Sequence, residues 1–202
     1  MLSLFGISMN SEKLTQTFND AKILFIEIPQ VKKKVEVSNS ISLIGMAGAG
    51  KSSVGKKLAK HLKFNFVDSD LLIEKKYGKS LQDILSQNGN EKFKKIEEGA
   101  LLLVDFNQIV LATGGSAVFC DTAMEYIKRN SMVIYLEVPY EDISSRISNF
   151  SERGLLKRSD QTIQESYKER EGLYQRFADY TVQNNGTIDS CLNNILGLIK
   201  PS

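Results

Sequence analysis

Residues 41–53 read ISLIGMAGAGKSS. The apolar run Ile41, Ser42, Leu43, Ile44 feeds directly into Gly45-Met46-Ala47-Gly48-Ala49-Gly50-Lys51-Ser52, which satisfies the G-x-x-x-x-G-K-[ST] pattern of a phosphate-binding loop. Residues 53–62 then carry Val54, Leu58 and Leu62 four apart, the spacing of one helical face. The motif therefore sits between a strand and a helix, the context a P-loop requires. Backbone N–H groups of the glycine-rich turn, with Gly48, Ala49 and Gly50, converge with the positive end of the helix dipole into an anion nest that extends to Ser53. Lys51 supplies a mobile ammonium for β- and γ-phosphate oxygens, and the Ser52 hydroxyl is placed to ligate Mg2+. A nucleotide's phosphates with Mg2+ are the expected ligands.

A chain of 202 residues suits one domain with a substantial core. Its 42% hydrophobic and 25% charged residues are ordinary for a globular protein. The net charge of +2 gives no electrostatic case for nucleic acid or an anionic membrane as a partner. Cys120 and Cys191 lie far apart with no C-x-x-C, so neither a disulfide framework nor a metal knuckle is indicated. The first residues, MLSLFGIS, lack a basic n-region and a long apolar run, so a cytoplasmic protein is expected. A monomer is the working expectation. The single histidine, His61, falls near a helix end and suits a solvated position better than a catalytic one. Six arginines (129, 146, 153, 158, 170, 176) stand against 20 lysines, so each arginine calls for a reason.

Residues 1–40 form an N-terminal extension with no assignable chemistry, although residues 21–28 (AKILFIEI) have strand character. Residues 64–67 read as a second strand running into Asp68-Ser69-Asp70. Carboxylates at the carboxyl end of a parallel strand face the ligand crevice of an open α/β sheet, so this D-x-D can serve a metal and a substrate hydroxyl. It can equally be a turn or a helix cap. Ser80 with Asp83 suggests a helix start and Gly89 a helix end. Beyond Glu91, Phe93, Ile96, Ala100 and Val104 keep helical spacing, and Lys94 can pair with Glu97 one turn on, as a solvated ion pair. The continuous apolar run 109–112 suits a strand buried on both faces, and it stops at Thr113-Gly114-Gly115-Ser116, where glycines allow a close ligand approach or a tight turn. A strand at 132–138 is followed by Pro139, which opens a helix carrying Arg146. Residues 149–160 (NFSERGLLKRSD) break periodicity as a mobile loop with Arg153, so that a lid spans about 149–161. A helix over 162–177 contains Arg170 and Gly172. A strand at 180–183 and a closing helix with Leu192, Ile195 and Leu198 facing inward complete the chain. Strands alternating with helices imply an α/β fold: a three-layer, doubly wound, parallel five-stranded sheet with the P-loop, occupying residues 41–202.

Taken together, GMAGAGKSSVGKKLA, FVDSDLLIE followed by KYGKSLQDIL, EKFKKIEE, ATGGSAV, RGLL and REGLYQRFADYTV resemble the shikimate kinases, of the nucleoside-monophosphate-kinase branch of P-loop proteins. The order and spacing of these pieces carry the resemblance more than any one of them. It implies ATP-dependent phosphorylation of the 3-hydroxyl of shikimate, giving shikimate 3-phosphate and ADP. On that likeness Lys51 and Ser52 bind ATP phosphates and Mg2+, and Asp68 helps hold the Mg2+ shell through water. Asp70 binds and orients or deprotonates the attacking hydroxyl, and Gly114 and Gly115 present backbone N–H groups to the acceptor. Arg153 comes in with the lid to stabilise the transferring phosphoryl group, Arg146 lies by the nucleotide, and Arg170 grips the acceptor carboxylate.

Four positions depart from the family pattern. Lys94 stands where an arginine of the carboxylate clamp is expected, and a lysine offers a point charge rather than a two-pronged fork. Ser116 replaces the third glycine of a GGG. Gly154 and Gly172 replace prolines that would stiffen their segments. Three of the four changes touch the acceptor side or the lid rather than the phosphate cradle, so another small polyhydroxy acid as acceptor and a nucleotide-binding module without turnover are the competing readings. No N-K-x-D-like guanine motif is present.

Overall fold

The computed structural model describes residues 39–146 and 161–199. The expectations for residues 1–38 and for the lid loop up to residue 160, Arg153 and Gly154 included, lie outside the described residues.

The described residues build a five-stranded parallel sheet from β1 (Ile41–Ile44), β2 (Asn65–Asp68), β3 (Ile109–Ala112), β4 (Met132–Glu137) and β5 (Tyr180–Gln183). Its spatial order is β2-β3-β1-β4-β5. The P-loop strand is therefore central: Leu43 pairs with Ala112 on one side and Ile134 on the other. Every residue of β1 and β3 is buried, as expected for strands covered on both faces. Because the chain leaves β1 toward β2 and β3 and later crosses to β4, the sheet reverses direction beside β1. Ligand crevices open at the carboxyl ends of strands at such a point.

Helices cover both faces. Helix α1 (Lys51–Leu62) buries Val54 and Leu58 completely, and with α7 (Ile188–Leu198) it closes one core that also holds Leu43, Ile134 and Ile195. The other face packs Leu111, Val133 and Tyr135 under α4 (Asp121–Asn130), the end of α3 (Leu81–Leu102), and Tyr174 and Phe177 of α6 (Ile163–Phe177). This gives the three layers expected from the alternating pattern. Ile195 and Leu192 face inward as expected, but Leu198 is a correction: it is 37% exposed, and Leu196 and Ile199 pack against the core instead.

Helix α2 (Ser69–Tyr77), not foreseen as an element, begins because the Asp68 side chain accepts from the Asp70 and Leu71 amides. It ends at Gly78, with φ 64°. Gly89 ends the first helical segment of α3 as expected. At φ 71° and ψ 171° it kinks α3, and helix resumes immediately. Ser80 caps the start of α3 as expected, accepting from the Asp83 amide. Ile73, Ile84 and Phe93 form a small third core that ties α2 to α3, with Phe119 packed against it. Helix α6 opens with a reciprocal capping box between Thr162 and Glu165 and accommodates Gly172 in its interior on an exposed face.

Candidate active site

The phosphate cradle follows directly from the loop between β1 and α1. Gly50 stands at the helix start with φ 87°, a left-handed conformation that glycine adopts without strain. The Ala49 amide closes the turn onto the Met46 carbonyl at 3.0 Å. Lys51, 7% exposed, donates from Nζ to the carbonyl oxygens of Gly45 (2.7 Å) and Met46 (2.9 Å). Burial lowers its pKa to about 8, with Asp70 and Asp68 opposing the shift. The Ser52 hydroxyl donates to Asp68 Oδ2 at 2.7 Å. Asp68 thus caps α2 with one oxygen and meets the P-loop serine with the other, so the cap and ligand readings of this residue are compatible.

Gly48, Gly50, Lys51 and Ser52 line an open cleft of about 340 Å³ together with Ser53, Asp70, Gly115 and Arg146. The donor set fits a hard divalent cation. A hydroxyl and one carboxylate, with no cluster of three or more acidic, His or Cys ligands among the described residues, suit Mg2+, which keeps waters and binds substrate phosphates rather than a full protein cage.

Beyond the cradle lies a set of charged side chains, of which Glu97 and Arg170 are buried. Asp70 Oδ1 is buried with no hydrogen-bond partner among the described residues. Burial raises the Asp70 pKa to about 6; Lys51 works against the rise, and Asp68 and Glu74 add to it. Facing it is Glu97, 4% exposed, which accepts from the Ser116 hydroxyl at 2.6 and 2.7 Å. Its pKa climbs to about 7, again mainly from burial; the Ser116 hydrogen bond opposes the rise and Asp70 adds to it. Both carboxyl groups converge on Gly114. A Cβ there would lie 2.6 Å from Asp70 Oδ1 and 2.8 Å from Glu97 Oε1, so the glycine is required by space rather than by backbone angle. Arg170, fully buried, sets its guanidinium 5.2 Å from the Phe119 ring centroid, and the Lys94 ammonium lies 5.7 Å from the same centroid. Phe119 thus brings the two cations to one aromatic side chain.

The family model described as shikimate kinase matches residues 47–200. The chain belongs to the shikimate kinase family. The shikimate kinase of Clostridium botulinum (strain Eklund 17B / Type B) is 38% identical over 164 residues, covering 81% of this chain and 98% of that protein. That of Francisella tularensis subsp. novicida (strain U112) is 39% identical over 163 residues, 78% of this chain and 93% of the other. Among solved structures, the shikimate kinase from Acinetobacter baumannii in complex with shikimate is 34% identical and superposes with a TM-score of 0.72, over 79% of this chain and 92% of that one.

Within this shikimate kinase fold, three expectations need correction. Lys94 pairs with Glu91 at 3.5 Å, not with Glu97. Glu97 is no solvated partner: it follows Phe93 by four residues and precedes Leu101 by four, and all three are buried. A carboxylate on that apolar stripe was the signal that could have revealed it. The Gly114 amide donates to the buried Ser69 hydroxyl at 2.9 Å, so it is directed into the protein and not toward an acceptor. Ser116, 6% exposed, turns its hydroxyl onto Glu97 instead of crowding the cleft. Gly115 lines the cleft, and its carbonyl accepts from Tyr174 Oη at 2.6 Å. Sequence reasoning also passed over Ser69, Phe119 and Asn184, whose roles depend on contacts between distant segments.

Proposed function

We propose that this chain transfers the γ-phosphoryl group of ATP to the 3-hydroxyl of shikimate, yielding shikimate 3-phosphate and ADP. The observation that carries the reading is the cleft shared by Lys51, Ser52 and Asp70, with buried Arg170 and partly exposed Lys94 meeting at Phe119 as cations suited to a carboxylate. ATP phosphates would lie in the turn formed by Gly48, Ala49 and Gly50, extended by Ser52 and Ser53, with Lys51 on the β- and γ-oxygens. Ser52 and Asp68 would hold Mg2+, which supplies charge neutralisation on the phosphates when bound. Arg146 lines the nucleotide end of the cleft. Asp70 would take the acceptor hydroxyl: its unmatched buried oxygen has room for one donor, and a pKa near 6 leaves it ionised at neutral pH. The hydroxyl oxygen forms the new P–O bond as the bond to the ADP oxygen breaks, and the hydroxyl proton passes to Asp70. Arg153 would add a positive charge to the transferring group, and Arg170 with Lys94 would bind the acceptor carboxylate, with Gly114 and Gly115 forming the wall of its site. Catalysis is then positioning and charge stabilisation, with no covalent enzyme intermediate.

We place the enzyme in the cytoplasm, working as a monomer. Two buried free cysteines suit a reducing compartment, no helix among the described residues is long and apolar enough to cross a membrane, and a net charge of +2 offers no field for nucleic acid.

The test is ADP release by purified protein with ATP and Mg2+, with shikimate, quinate or gluconate added separately. Stimulation by shikimate alone is expected. Stimulation only by another acid would move the assignment to that acceptor, a reading favoured by Lys94 in place of a forked guanidinium. No stimulation by any of them would overturn the kinase proposal.

A further inference from the structure

The P-loop has a tether that the mechanism above does not use. Asn184, immediately after β5, is 5% exposed. Its side-chain Nδ2 donates to the carbonyl oxygen of Ala49, within the phosphate-binding turn, at 2.7 Å. Its backbone amide donates to the Glu137 carbonyl at the end of β4, at 2.8 Å. Its own carbonyl accepts from Arg146 Nη2 at 2.9 Å. One residue therefore joins three segments that border the cleft: the loop that would cradle phosphate, the end of a core strand, and the arginine on the nucleotide side. The fit is close. A Cβ on Gly50 would lie 2.8 Å from Asn184 Nδ2, so the last glycine of the motif also makes room for this amide.

The physical consequence concerns which way the loop faces. An anion nest works only when its N–H groups point inward, and then the loop carbonyls must point elsewhere and find donors. For Ala49 the donor is Asn184. A side chain of similar size without a donor would leave that buried carbonyl unmatched, which favours rotation of the peptide and loss of the inward amides. The same residue fixes the height of Arg146 over the cleft, so phosphate and Arg146 contacts are set from one point.

We infer that Asn184 is a positioning residue for ATP, holding the phosphate-binding turn and Arg146 in a common geometry through its side-chain amide and its carbonyl. The inference rests on ATP being the ligand of this P-loop but is independent of the acceptor.

The test is binding of a nonhydrolysable ATP analogue with Mg2+, without acceptor, to wild type, Asn184→Asp and Asn184→Ala, each with its thermal midpoint. Asn184→Asp keeps the size, removes the donor and sets a carboxylate against the Ala49 carbonyl. The dissociation constant is expected to rise about tenfold or more, on the scale of one buried hydrogen bond lost, with the midpoint moved by only a few degrees. Asn184→Ala is expected to fall between the two. An unchanged dissociation constant in either folded variant would overturn the inference. If Asn184→Asp does not fold, Asn184→Ala alone decides it. A wild type that binds the analogue tightly yet phosphorylates no acceptor would sink the functional proposal and leave this comparison intact.

Discussion

The two halves of the cleft are built on opposite plans. The phosphate side comes from one continuous stretch, and its chemistry resides in the backbone and in Lys51 and Ser52, which sit where the motif puts them. The acceptor side is gathered from α2, α3, the turn after β3 and α6, and it works through charged side chains: buried Glu97 and Arg170, with partly exposed Asp70 and Lys94. A backbone nest tolerates drift in its surroundings because its donors are fixed by the turn itself. A cluster of buried charges has no such independence, since each member's protonation and orientation depend on the others. Two of the departures from the family pattern, Lys94 and Ser116, fall on the acceptor side, and Ser116 there occupies a glycine position and at the same time supplies the hydroxyl that holds Glu97.

The largest effect expected from breaking this contrast is on the phosphate side. Lys51→Ala removes the one mobile cation of the cradle and should cut kcat by about a thousandfold, the scale seen when a single preorganised electrostatic donor is removed. The fold should persist, because the nearby carbonyls can be hydrated from the cleft and removal of a buried ammonium also removes its burial cost. Steady-state ADP release and circular dichroism measure both. A variant retaining near-wild-type turnover would refute the role given to the loop.

How far each half could be read from the sequence follows from the same difference. The P-loop, the buried strands β1 and β3 and the α/β alternation are local patterns with fixed periods, and the structure has them within a residue or two of the expected limits. Asp68 and Asp70 were legible as a pair because they follow a strand end directly. Glu97 was not, because a neighbouring lysine offered an ordinary ion pair, and only the packing of Phe93 and Leu101 shows that its face is inward. The Gly114 amide was assigned outward on family likeness, but a hydroxyl 45 residues earlier, Ser69, takes it. Asn184 carries no local signal at all: its partner Ala49 is 135 residues away.

An intermediate effect is expected from the acceptor-side carboxylate. Glu97 has a folded pKa raised from 4.5 to about 7, so between those values the native state binds more protons than the unfolded chain. Stability attributable to this group is then present at low pH and is lost as pH rises through the window, by up to about 3 kcal/mol at 1.4 kcal/mol per pH unit. Glu97→Gln cannot titrate. Denaturant unfolding of wild type and variant at pH 5 and pH 8 should show the variant gaining on the wild type at the higher pH. A stability difference that is the same at both pH values would mean that Glu97 is hydrated and ionised throughout, and the picture of a closed, buried acceptor side would fail.

The smallest effect bears on the departure that most sharpens the contrast. Lys94 is about one-third exposed, pairs with Glu91 at 3.5 Å and shares Phe119 with Arg170. A lysine here contributes a point charge, whereas an arginine could donate two parallel hydrogen bonds to a carboxylate. If Lys94 holds the acceptor carboxylate, Lys94→Arg should lower the KM for shikimate severalfold, with kcat and the KM for ATP changed less than twofold. The separation of the two KM values is the diagnostic, because a general loosening of the cleft would move both. An unchanged or raised KM for shikimate would mean that Arg170 alone carries the carboxylate and that Phe119 holds Lys94 for packing. The acceptor side would then have lost one arm of its clamp while the cradle kept every part.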